Sequence, residues 1–223
     1  MLDLTEFKNI HKDKDIYILA SGKSVDFIDN SFFENKIVIG INQVYKKLKC
    51  KYLVRKEHKL LNEVNELNND TIIFVSKGEC GCGNSINLDY IKKHNFSNAV
   101  VYNHNKNNCK APKTIPDNGL VVSWSTITTG IHLAAYMGAK NIILVGHDCG
   151  TINGEPNFKN YHNEQTYKIA HSRGKTDYII WLRQIEAQTI VIKNLLKKKY
   201  NCNIYSINPF VSLNLEGNIF KSN

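Results

Sequence analysis

"ITTGIHLAAYMGAKNIILVGHDCGTINGE", Ile127 to Glu155, changes period partway along. Ile131, Ala134, Ala135 and Gly138 recur at helical spacing, so Ile127–Gly138 is expected as a helix with a small-residue face that packs closely on a sheet. Asn141–Gly146 then runs as continuous apolar, β-branched sequence, the pattern of a short strand buried on both faces. Gly146, His147, Asp148, Cys149 and Gly150 break that run abruptly. A carboxylate and an imidazole are thereby expected at the carboxyl end of a buried strand.

The same alternation extends outward in both directions. Further strands are expected at Asp15–Ala20, Lys36–Ile41, Lys51–Arg55, Thr71–Ser76, Ala99–Asn103 and Asn203–Ile207, with longer helix-patterned segments between them. Asp177–Tyr200 reads as the longest helix, with Ile180, Trp181, Ile185, Ile192, Leu195 and Leu196 as apolar contacts and Lys197, Lys198 and Lys199 suited to its negative end. Repeated β-α-β alternation predicts an α/β, Rossmann-like fold, a mostly parallel sheet flanked by helices. Residues 77–123 crowd Gly, Asn, Cys and Pro and are expected as an irregular insertion or lid. With 223 residues, 42% of them hydrophobic, 1–223 is expected as a single α/β domain.

No apolar run approaches the 18 residues of a membrane span, and "MLDLTEFKNIHKDKD" is charged where a signal peptide needs an apolar stretch, so a cytoplasmic protein is expected. Six irregularly spaced cysteines then read as reduced thiols. Cys80, Cys82, His104 and Cys109 offer an alternative, a zinc-stabilised binding module, although "CGC" is tighter than standard finger spacing. The net charge of +9 is spread along the chain without a basic stripe interleaved with aromatics, so no nucleic-acid partner is expected. Peripheral contact with an anionic membrane surface and homo-oligomerisation stay open as partners. The densest basic stretch, "KKLKCKYLVRKEHK" from Lys46 to Lys59, reads as an anion-facing surface.

Ligands of open α/β sheets bind outside the carboxyl ends of the strands. Four such places carry candidate residues. "ASGKS" after the first strand puts Ser21, Gly22 and Ser24 in a small-residue turn whose amides can face phosphate; Tyr17 stands where a Walker motif needs its first Gly. Asn42 and Gln43 follow the second strand, where they can read a base or sugar edge, with helix capping as the competing use of Asn42. "STITTG" offers Thr128, Thr129 and Gly130 at a helix start, and "GHDCGTING" offers Gly146 and Asp148.

Four pieces in order, "ILASGKSVDFID", "INQVY", "TITTGIHLAAYMGAKNIILVGHDCGTINGE" and "HSRGKTD", resemble the bacterial sialyltransferases of glycosyltransferase family 42 and the related family named for an archaeal 6-hydroxymethylpterin diphosphokinase. The resemblance implies transfer of a sugar, sialic-acid-like, from a CMP-linked donor to a glycan acceptor in surface polysaccharide or lipooligosaccharide synthesis. It implies that Ser21, Gly22, Ser24, Asn42, Gln43, Thr128, Thr129, Gly130 and Gly146 surround the nucleotide, that Asp148 is the acid beside it, and that His171 is the general base. No cofactor, Mg²⁺ or other metal is expected. Gly150 and Phe158 occupy the places of two tyrosines that hydrogen-bond the departing phosphate in those enzymes, which leaves Tyr161 or Tyr167 to replace them. The alternatives are a catalytically silent nucleotide-binding relative and a diphosphokinase, which needs carboxylates for Mg²⁺ where the third strand is followed by Glu57 alone.

Overall fold

A computed structural model describes residues 1–56, 61–67, 70–78, 85–104, 110–161 and 175–207. Among these residues seven strands form where β-branched runs stand: β1 (Asp15–Leu19), β2 (Ile37–Ile41), β3 (Tyr52–Arg55), β4 (Ile72–Ser76), β5 (Ala99–Tyr102), β6 (Asn141–Val145) and β7 (Asn203–Ser206). All pairings are parallel, in the order β5-β4-β3-β2-β1-β6-β7, which is the expected Rossmann-like α/β sheet. The helices are α1 (Leu61–Leu67), α2 (Ile86–Lys93), α3 (Thr126–Tyr136) and α4 (Lys175–Tyr200), with 3-10 turns at Leu4–Phe7, Lys23–Phe27, Asn30–Phe33 and Asn42–Lys46.

The strand order fixes which face each connection covers. From β1 to β5 the sheet grows one way, and from β6 to β7 it grows the other way. Right-handed crossovers therefore place the two sets of connections on opposite faces. Val25, Phe33, Val44, Leu61, Val64 and Ile91, from the short turns and from α1 and α2, cover one face over Leu19, Leu53 and Val145. Ile131, Leu133 and Ala134 of α3 and Ile185, Ile192 and Leu196 of α4 cover the other over Ile18, Ile39 and Leu144. A Cβ at Gly130 would lie 2.5 Å from Ile41 Cδ1, so the small residue there allows α3 to lie against β2. Gly138, expected on the helix face, instead stops the helix: it follows the cap residue Met137 with φ +90°, a left-handed conformation that glycine adopts without Cβ strain.

Within residues 77–123, α2 and β5 are regular elements of the sheet edge, and 110–123 form an irregular run leading to α3. The last turn of α4 holds that run, because Lys199 Nζ donates to the carbonyls of Ile115 (2.9 Å) and Pro116 (3.1 Å) and to Asp117 Oδ1 (2.7 Å). The basic stretch at 46–59 does not form one surface in its described part. Tyr52, Leu53, Val54 and Arg55 are buried as β3, and Lys46 and Lys49 pair with Glu63 and Asp70. The pull of an apolar β-branched run into the sheet overrides the charges around it. Among the described residues no helix is long and apolar enough to cross a membrane.

His132 of α3 is fully buried; its Nδ1 accepts the Val121 N–H at 3.0 Å, and its Nε2 meets the Tyr200 hydroxyl at 3.3 Å. Burial, aided by the charge of Lys199, pushes its pKa down to about 3. Since the folded value lies below the unfolded one, the unfolded chain takes the proton first, and stability present at neutral pH is lost as pH falls below the ordinary histidine range. Urea denaturation between pH 7 and pH 4.5 is expected to show this loss, at most about 1.4 kcal/mol per pH unit from one histidine. His132→Gln, whose amide oxygen can accept the same N–H, is expected to flatten the slope.

Candidate functional site

β1 and β6 are neighbours at the point where the strand order reverses, the place where an open parallel sheet leaves a crevice at its carboxyl ends. The turns after both strands line it and are joined to each other. Ala20 N–H donates to the Val145 carbonyl at 2.8 Å and Gly22 N–H to the Gly146 carbonyl at 2.7 Å, extending the β1–β6 ladder past the strands. Asp148, 2% exposed, accepts the Ser24 N–H on Oδ2 (2.8 Å) and the Ser24 hydroxyl on Oδ1 (2.6 Å). The anion at the start of the Lys23–Phe27 turn is therefore the protein's own carboxylate. Burial raises the Asp148 pKa while the two Ser24 hydrogen bonds hold it back.

The approach depends on glycine. A Cβ at Gly22 would stand 2.4 Å from the Asp148 carboxylate and 2.4 Å from the Gly146 carbonyl. Gly146 has φ +70°, and a Cβ there would meet Val25 at 2.3 Å. The chain turns through Gly146 and again at Cys149 (φ +51°), between which His147 and Asp148 diverge. Asp148 turns to Ser24. His147 turns to α4, where its Nε2 lies 2.9 Å from the Thr189 hydroxyl; that hydroxyl donates to the Ile185 carbonyl, so His147 Nε2 is the donor toward it. Burial lowers the His147 pKa to about 4 and pushes the Cys149 thiol up, so neither carries charge at neutral pH. His147 is an anchor for α4.

Asn42 takes φ +57°, a left-handed value that Asn tolerates better than most residues. The cap position of its turn is Ile41, with no side-chain cap bond, so the Asn42 side chain is not spent on capping. It meets the Tyr161 hydroxyl instead. Burial raises the Tyr161 pKa, and the Ser21 hydroxyl, the charge of Arg55, the Asn42 side chain and the Gln43 backbone offset it in that order. The loop carrying Tyr161 is stapled to the first turn: Phe158 N–H donates to the Ser21 carbonyl (3.0 Å), and Asn157 Nδ2 to the Ser21 hydroxyl (3.0 Å) and carbonyl (3.2 Å). Beside it a cavity of about 370 Å³ is lined by Lys23, Glu155, Asn157, Phe158, Lys159 and Tyr161, among others.

The structure thus brings Ser21, Gly22, Ser24, Asn42, Gln43, Gly146 and Asp148 to one edge and adds Tyr161 and Arg55. Thr128, Thr129 and Gly130 lie on α3, under the opposite face. Thr128 Oγ1 accepts the Ser123 N–H at 2.9 Å and lies 2.7 Å from the Ser125 carbonyl, and Thr129 Oγ1 donates to the Val121 carbonyl at 2.8 Å. Both threonines are fully buried and fasten the segment before α3. His171, Tyr167, Glu57, Cys80, Cys82 and Cys109 lie outside the described residues. His104, the remaining member of the zinc set, meets the Ser76 hydroxyl through Nδ1 at 2.6 Å. Among the described residues no three His, Cys, Asp or Glu side chains are grouped to hold a metal ion.

Asp148→Asn keeps the volume but turns an NH₂ toward one of the two Ser24 donors. It is expected to cost about 1–3 kcal/mol in denaturant unfolding, and Ser24→Ala about 1 kcal/mol. The double variant is expected to lose less than the sum, because both changes break one contact. Gly22→Ala is expected to destabilise through its clash with the same carboxylate.

At the level of sequence, no protein-family model and no curated protein matches the chain. In three dimensions it is similar to sialyltransferases of Campylobacter jejuni. The monofunctional α-2,3-sialyltransferase Cst-I superposes with a TM-score of 0.55 at 19% identity, covering 95% of this chain and 83% of that one. The sialyltransferase CstII in complex with the substrate analogue CMP-3FNeuAc gives 0.53 at 18% identity, covering 90% and 83%. CstII with cytidine-5'-monophosphate gives 0.50 at 17%, covering 91% and 83%. The fold of this chain, over most of its length, is the one those sialyltransferases adopt.

Proposed function

We propose that the protein is a glycosyltransferase that takes a sugar, sialic-acid-like in chemistry, from a cytidine nucleotide donor and passes it to a glycan acceptor. The observation that carries the reading is the crevice at the β1–β6 switch point, where Ser21, Asn42, Gln43 and Tyr161 converge on a turn braced by Asp148. Its weight comes from the fold being one in which CMP and a CMP-sugar analogue are bound by CstII.

In this reading an acceptor hydroxyl attacks the anomeric carbon, the bond from that carbon to the phosphate oxygen breaks, and CMP leaves. His171 takes the hydroxyl proton, a task suited to an imidazole whose ordinary pKa is about 6.5. Tyr161 is assigned the hydrogen bond to the departing phosphate. It stands three residues beyond Phe158, on the loop that Ser21 holds. Asn42 and Gln43 are assigned to the nucleotide. Asp148 keeps the first turn in place for it. The transfer is proposed to need no metal ion.

CMP is expected to raise the melting temperature in the presence of EDTA, since a ligand at a hundred times Kd stabilises by roughly 2.7 kcal/mol. Asn42→Ala is expected to shrink that shift, and a shift that appears only with Mg²⁺ would count against the site. His171→Ala is expected to bind CMP as the parent does, with turnover lower by about a hundredfold to ten-thousandfold. His147→Ala is expected to lose melting temperature first, because its ring anchors α4. Loss of turnover confined to His147→Ala would move the base to the β6 turn.

A further inference from the structure

We propose that Arg55 is a positioning cation for the phosphate-binding hydroxyl of Tyr161, so that phosphate recognition in this crevice is carried by an arginine–tyrosine pair. This rests on the nucleotide-sugar reading above and goes beyond it by naming the charge that serves the phosphate.

The placement follows from the pleat of β3. Tyr52 and Val54 lie on the α3 side of the sheet, and Leu53 lies on the other. Strand alternation puts Arg55 with Leu53, on the face that also carries Tyr45 and Tyr161. Arg55 is the last residue of β3, in register with Val75 of β4, so it stands at the carboxyl edge. The Tyr102 hydroxyl donates to its carbonyl at 3.2 Å, which fixes the backbone from the far side. The residue is 5% exposed.

A guanidinium loses its hydration when buried, a cost that well-packed apolar side chains such as Leu53 and Val54 do not carry. Its charge is felt at the hydroxyls of both Tyr45 and Tyr161, in each case against burial. Tyr161 in turn meets Ser21 and Asn42, the side chains after β1 and β2. The order across the sheet edge is thus cation, phenol, then the crevice. A phenol backed by a cation in a water-poor site is a stronger donor toward an anion, and the effect is largest on charge that grows as a leaving group departs. Neither partner needs to move for this, because the strand holds one and the Ser21 staple holds the other.

The test compares CMP with cytidine, which differ by the phosphate, using calorimetric titration of each variant. Arg55→Gln and Tyr161→Phe are each expected to weaken CMP by about tenfold or more while changing cytidine affinity less than twofold, as loss of a charge-assisted hydrogen bond predicts. The double variant is expected to be little worse than either single one. Arg55→Lys, which keeps the charge without the planar fork, is expected to recover part of the CMP affinity and serves as the readout if Arg55→Gln does not fold. Equal loss of CMP and cytidine in step with melting temperature would make Arg55 structural and overturn the proposal, as would unchanged CMP affinity in all three variants. A parent protein that binds neither CMP nor cytidine would overturn the nucleotide-sugar reading itself. A parent that binds CMP independently of Arg55 would overturn this pairing alone.

Discussion

The carboxylate of Asp148 joins two turns that are far apart in sequence and adjacent in space. Ser24 gives it both an N–H and an O–H, and Gly22 gives the neighbouring carbonyl its N–H, so the ends of β1 and β6 are locked in register beyond the last strand pair. The contact sits where the crossovers diverge, the one place on an open parallel sheet where the backbone leaves a gap. Together with the backbone bonds of Ala20 and Gly22, it fixes the height of the Ser21 turn above the sheet. The 157–161 loop, hung from Ser21, is placed with it.

Charge is distributed to match. The chain carries a net +9, while the interior at the crevice holds a neutral His147, a protonated Cys149 thiol, a carboxylate satisfied by Ser24 and the buried guanidinium of Arg55. Burial keeps the histidine and cysteine uncharged, and hydrogen bonds make the aspartate tolerable. A small number of polar groups, each with a partner, thus line a region that is otherwise apolar.

The seven strands were readable because parallel strands buried on both faces write continuous β-branched runs, and no surface alternation obscures them. The helices of one face were readable too: α3 and α4 are long enough to show a period. The β1–β2 and β2–β3 connections of the other face were not, since Lys23–Phe27, Asn30–Phe33 and Asn42–Lys46 are 3-10 turns of four or five residues, too short for a 3.6-residue pattern. The strand-end rule found Ser21, Asn42 and Asp148. It could not show that Asp148 turns to Ser24 and His147 to Thr189, partners 124 and 42 residues away. Arg55 was hidden inside a lysine-rich stretch whose composition suggested a surface. Only the pleat of β3 shows that its side chain goes inward.

The strands and helices are of unequal length. A strand of five residues is about 16 Å long, whereas a 26-residue helix such as α4 reaches about 39 Å. The helix ends at Tyr200, just before β7 begins at Asn203, so its surplus length projects past the opposite edge of the sheet. It is fastened part-way along by Thr189 to His147 and in its last turn by Lys199 to the 115–117 run. The projecting turns carry the helix beyond the end of the sheet that the strands themselves reach. A turn added to or taken from the start of α4 would change how far the helix reaches past the sheet without disturbing a single strand pair.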